Sequence, residues 1–248
     1  QIGTFSAAPH ASDLAGLTLD RDHLNDLRRC RPADCDVQLS RAGIARVQAI
    51  PWSAPDADER ANALVRELLA GMTADYRRVG DAALMTYEND QHPIVVADEF
   101  RAMVTAPPAL LQRFGVLDRH LRGFPATNVD GVEDVIYWSK EDVGPKVIIS
   151  VTHMAIHKVD EGPVLYAAAS KQLYGSHYFD SSLGLTLLLA DDTPSSSVLV
   201  YINRSRVDAL SGWLGGLKRA VVRSRARSAM SDTLVRIRTR LPARISQP

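Results

Sequence analysis

The first half of the chain repeats its apolar residues at helical spacing and the second half alternates them, predicting helices followed by strands. Leu14, Leu17, Leu24 and Leu27 predict a helix over residues 11–29, interrupted by Gly16 and Thr18. Leu39, Ile44, Val47 and Ile50 predict a shorter one that stops at Pro51. The strongest stripe comes next, through Ala61, Leu64, Val65, Leu68, Leu69 and Met72. Ser53 suits its N-cap, with Pro55 in the first turn and Asp56 three positions after the cap. Gly80 ends this helix, and Asp81 is placed to cap a short one reaching Tyr87. Two more helices are expected over 97–105 and 109–122, separated by Pro107 and Pro108, which no helix crosses. Residues 124–131 read as a loop and as the boundary between the halves.

Beyond Gly144 the period becomes two. Over residues 147–158, Val147, Ile149, Val151, His153, Ala155 and His157 share one face, and Ser150, Thr152, Met154 and Ile156 the other. Asp160-Glu161-Gly162-Pro163 reads as a hairpin turn into a second strand over 164–178, whose alanines also permit a helix. Residues 183–190 and 197–204 predict two further strands, joined through Asp191-Asp192-Thr193-Pro194. A helix is then expected from about 209 to 241, with Leu217, Ala220, Val221, Leu234, Val235 and Leu241 as its buried stripe. The fold class expected is α+β: a helical region over 1–131, then over 132–248 an antiparallel sheet closed by a long C-terminal helix. The second region is either its own domain or continuous with the first.

Composition narrows the class. Apolar content of 46% with 23% charged residues excludes disorder. No apolar run approaches the ~20 residues a membrane helix needs. Formal charge is zero, yet residues 204–244 hold eleven Lys or Arg against two acids, leaving 18 basic and 27 acidic residues elsewhere. Either the basic helix packs beside an acidic body or it docks on an anionic membrane surface. Lys218, Arg219, Arg223, Arg225 and Arg227 fall on several helix faces with only Trp213 near, so no nucleic-acid partner is expected. Cys30 and Cys35 in Cys-Arg-Pro-Ala-Asp-Cys suit a small disulfide formed in an oxidising compartment. They lack the spacing of a redox Cys-x-x-Cys and the further ligands zinc requires. The chain opens on Gln1, as expected of a trimmed, periplasmic or secreted protein.

Catalytic motifs do not emerge. Tyr166 and Lys171 stand one residue too far apart for the Tyr-x-x-x-Lys of short-chain dehydrogenases, and no Gly-rich dinucleotide turn opens the chain. Gly-x-Ser-x-Gly is absent. His153 and His157 share a strand face, but two imidazoles without a third ligand do not make a zinc site, so neither metal nor cofactor is expected. The densest functional cluster runs from Ser170 to Asp180, where aromatics alternate with Lys171 and His177 as in small-molecule pockets. The candidate ligand-binding residues are His153, His157, Lys171, Tyr174, His177 and Tyr178.

The stretch Ser197-Val-Leu-Val-Tyr-Ile-Asn203, then Gly212-Trp-Leu-Gly-Gly216, then Ala220-Val-Val222 within the last helix, resembles the end of START-like (helix-grip, SRPBCC) domains. Such domains hold lipids or other apolar molecules between a curved sheet and a long helix. The resemblance implies an exported carrier of a hydrophobic small molecule or lipid. The alternative is a hydrolase or isomerase using His153, His157 or His177 as general base. About 130 helical residues ahead of the sheet depart from that family pattern.

Overall fold

A computed structural model of the chain describes residues 1–106, 111–127, 129–142, 146–159, 162–191 and 196–207. These form an α+β fold. Its main sheet contains β1 (Ile2–Thr4), β4 (Val132–Asp142), β5 (Val147–Lys158), β6 (Val164–Gly175), β7 (Phe179–Ala190) and β8 (Ser197–Val207). The strand order is β1-β4-β5-β6-β7-β8, and every neighbouring pair is antiparallel. The meander from β4 to β8 thus recruits the N-terminal strand onto its first edge. A small ribbon pairs β2 (Thr86–Tyr87) with β3 (Ile94–Val95). Five α-helices lie among the described residues: α1 (Arg21–Arg29), α2 (Arg41–Gln48), α3 (Ala57–Val79), α4 (Val96–Thr105) and α5 (Gly115–Gly123).

Several boundaries differ from the sequence expectation for local reasons. The helix expected over 11–29 splits into a 3₁₀ turn, Ala11–Leu14, and α1, whose N-cap Asp20 accepts from the His23 backbone N–H. An internal cap outcompetes continuous periodicity here. The long helix begins at Ala57 after Asp56, so Ser53 and Pro55 lie in the preceding turns and Ser53 is not its cap. Asp81 sits in a 3₁₀ turn, Gly80–Ala83, and the chain then enters β2 in place of the expected helix. Residues 164–175 are strand throughout, so the alanines pair in the sheet. Strands β1 and β4 were not expected at all. Residues 208–248, and with them the long basic helix and the membrane docking expected of it, lie outside the described residues.

The helices cover one face of the sheet. Ile136 and Trp138 on β4, Ile149 and Val151 on β5, and Leu173 on β6 pack with Phe5, Leu14, Leu69 and Tyr76 in one buried cluster. Ala155, Ala167, Ala169, Leu183 and Leu185 complete the face under Phe100, Met103, Leu117 and Leu121. The first cluster joins residues from both halves of the chain into a single core, so α3 and the strands bury each other's apolar stripe. Burial of this kind contributes about 25 cal/mol per Å² of apolar surface.

Gly80 fixes where α3 stops. Its φ is +64°, and a Cβ there would fall on the Phe124 carbonyl oxygen, at the start of the cis Phe124–Pro125 peptide. Gly80→Ala is therefore expected to lower unfolding free energy by roughly 2 kcal/mol or more. Urea denaturation measures this, and a variant as stable as the parent contradicts the packing described.

Candidate functional site

The six candidate residues separate into four places. His153 and Lys171 face each other across β5 and β6 and are fully buried between sheet and helices. His177 and Tyr178 lie beyond the end of β6, beside the disulfide loop. Tyr174 is buried in the main core with its ring edge-on to Tyr87, 6.2 Å between centroids. His157 is near the surface, its Nδ1 3.1 Å from the Gly131 carbonyl oxygen. No single pocket gathers them.

The first place is a polar seam. Lys171 Nζ pairs with Asp81 and lies 3.9 Å from the centroid of the Phe100 ring. Burial holds its pKa below the usual lysine value, with Asp81 opposing that pull. Next to it, Asp134 on β4 receives two imidazoles: His153 Nε2 at 2.7 Å, and His120 Nε2 of α5 at 2.8 and 3.0 Å from its two oxygens. An ionised carboxylate only accepts, so each Nε2 carries its proton. These bonds hold the Asp134 carboxyl below its ordinary pKa, against the opposing pull of burial. His153 is pushed down by burial, so its neutral ring leaves Nδ1 free to accept from the Tyr76 hydroxyl at 2.9 Å. Phe124 packs 4.5 Å from His153 and 5.1 Å from Tyr76, between ring centroids.

Sequence reasoning missed four members of this seam in the roles they take: Tyr76, Asp81, His120 and Asp134. Signals were present for three of them. Tyr76 continues the α3 stripe one turn past Met72. His120 sits on the buried stripe of α5 with Leu117 and Leu121. Asp134 takes an inward register position, opposite Ala155.

The second place is a cleft of about 300 Å³ lined by Ala33, Asp34, Cys35, Asp36, Gln38, Asn89, Asp90, Lys146, His177 and Tyr178. The Cys30–Cys35 disulfide closes its loop. That loop is pinned to the next wall, with Ala33 N–H donating to Glu88 O and Cys35 N–H to Asn89 O. On the opposite wall, His177 Nδ1 donates to Asp36 O at 2.7 Å. Phe179 N–H reaches back to His177 O at 2.7 Å, which makes Tyr178 the centre of a three-residue turn with φ of +64°. A tyrosine held there stores about 1–3 kcal/mol of strain. Lys146 is matched by Asp26 at 2.6 Å and Asp36 at 3.5 Å, so the cleft is acid-rich.

No known protein family matches this chain, and neither a curated protein nor a solved structure matches it. What the fold defines is an α+β class: an antiparallel meander that carries its helices on one face and holds a disulfide-closed cleft at one end. No helix among the described residues is long and apolar enough to cross a membrane.

Two outcomes follow from the electrostatics. His177 is pushed down to about 4, first by burial and then by the nearby His23. Its folded pKa lies below the unfolded value near 6.5, so the stability it contributes is complete above pH 6.5. It is lost as pH falls from there toward 4, with a slope approaching about 1.4 kcal/mol per pH unit. Chemical denaturation across this range should show that slope reduced in His177→Gln, and an unchanged slope contradicts the assignment. At the seam, Asp81→Ala strands a buried ammonium and is expected to destabilise by about 3–5 kcal/mol, clearly more than Lys171→Met. Equal effects of the two changes would contradict a charged, buried Lys171.

Proposed function

We propose that the protein is an extracytoplasmic binding protein for a small polar molecule, neutral or cationic, held in the cleft beside the disulfide. The carrying observation is convergence. Chain-distant segments around residues 34–38, 89–90, 146 and 177–178 present carboxylates, amides, an ammonium and a phenol to one concavity of about 300 Å³. Concave sites with a few converging polar groups on fixed backbone are what small ligands select. The strained Tyr178 turn supports this reading, since such strain persists where the surroundings impose it. A disulfide loop favours an oxidising compartment such as the periplasm or cell exterior.

The polar lining of the cleft favours a polar ligand at that place. The sheet face beneath the described helices is filled by protein side chains, with Val151, His153, Ala155 and Leu173 fully buried, and the long helix against which an apolar guest was expected lies outside the described residues. Binding is also favoured over general-base catalysis at the cleft. A histidine that protonates only near pH 4 is a weak base at neutral pH.

Native mass spectrometry of the protein recovered from an oxidising compartment should show a small polar adduct, or else a thermal-shift screen of sugars, amino acids and amines should return a stabilising ligand. Tyr178→Gly should then raise the melting temperature of the empty protein by relieving the turn, while weakening that ligand at least about tenfold. A stoichiometric lipid adduct, or a ligand whose affinity ignores both Tyr178→Gly and Asn89→Ala, contradicts the proposal.

A further inference from the structure

The seam carries an inference independent of the cleft. His120, Asp134 and His153 come from α5, β4 and β5, and one ligand-capable atom of each lies within 4.8 Å of the others. We propose that these three residues bind a first-row divalent metal ion, zinc foremost, with a further coordination position on the solvent side of Asp134.

The donor set argues for that class of ion. Two imidazoles and one carboxylate suit zinc and its neighbours, whereas calcium and magnesium require oxygen donors. The geometry is close to what coordination needs. Nitrogens and oxygens now 2.7–3.0 Å apart would sit roughly 3.3 Å apart around a tetrahedral ion with ~2.05 Å bonds, an opening of about half an ångström. Both histidines already aim the same nitrogen, Nε2, at one oxygen of the Asp134 carboxylate.

Support from behind the site is also in place for His153. Metal on Nε2 places the imidazole proton on Nδ1, and the Tyr76 hydroxyl, 2.9 Å away, then accepts the bond it now donates. His120 would undergo the same tautomer change, the proton moving to Nδ1, which is buried and has no hydrogen-bond partner among the described residues. Charge points the same way. Lys171 and Asp81 neutralise each other, which leaves Asp134 as the remaining full charge of the seam. Its partners among the described residues are the two imidazoles. Access runs through Asp134, whose side chain is 26% exposed while those of His120 and His153 are 2% and 0%. Three protein ligands with an open position are the arrangement of zinc sites that bind water or substrate.

The test is a titration of the chelator-treated full chain with Co²⁺ and then Zn²⁺. One equivalent of Co²⁺ should develop the visible bands of a tetrahedral ion, and Zn²⁺ should bleach them. Asp134→Asn and His120→Gln should each weaken binding about 100-fold or more, whereas His157→Ala should leave it unchanged. Circular dichroism of the metal-free variants separates a lost ligand from a lost fold. Should Asp134→Asn fail to fold, His120→Gln decides the matter, because a glutamine amide can still donate to the carboxylate. Absence of cobalt bands, or variants at His120 and Asp134 that bind as tightly as the parent, would mean that the seam is a hydrogen-bonded network and nothing more.

Discussion

The burial of the Lys171 ammonium against Asp81 is the constraint on which the rest of the molecule depends. A charge with no exposed surface is tolerated only when it is paired, so the turn after α3 must stay where Asp81 meets β6. Gly80 makes that turn possible, because its positive φ and missing side chain let the Phe124 carbonyl close over it. With the end of α3 fixed, Tyr76 stands over His153 and the hydrogen bonds pass on to Asp134 and His120. One ion pair thereby sets the height of α3 over the sheet and the position of α5 beside it. Apolar packing supplies most of the stability, while these polar contacts specify a single arrangement of helices on strands.

Such a seam is only half legible in a sequence. The inward alternation of Ile149, Val151, His153 and Ala155 appears in the structure as expected, with Val147 and His157 at its ends only partly buried, and so does the buried stripe of α3. His153 was visible as a polar residue on an apolar face. Its partners were not, because Asp134 and His120 lie 19 and 33 residues away and reach it through tertiary packing alone. Strand β4 was missed for a related reason. Its inward residues Val132, Asp134, Ile136 and Trp138 alternate, but the acid weakens the hydrophobic signal and the preceding loop masks its start. Strand β1 is too short for any period to register, and it forms because β4 offers an unpaired edge.

Around the cleft, single local features were legible in the sequence while their assembly was not. The Cys30–Cys35 bridge follows from spacing, and the aromatic-polar cluster near residue 177 does line a concavity. Yet the cluster runs along a strand, so its members alternate between destinations. Lys171 points into the seam, Tyr174 enters the core, and only His177 and Tyr178 border the cleft. The other wall comes from the disulfide loop and the segment near Asn89, which no local pattern connects to β6. Resemblance of the last strands to helix-grip domains pointed to an apolar guest held against the long C-terminal helix, which lies outside the described residues.

The account predicts opposite tautomers for its two central histidines, and one measurement reads both. A long-range proton–nitrogen correlation spectrum of the metal-free protein at pH 7 reports which ring nitrogen carries the proton. His153 should be neutral and protonated on Nε2, as its bonds to Asp134 and Tyr76 require. His177 should be neutral and protonated on Nδ1, as its bond to the Asp36 carbonyl requires. A charged His153, or imidazoles averaging between tautomers as free histidine does, would contradict the buried hydrogen-bond order from which both sites are derived.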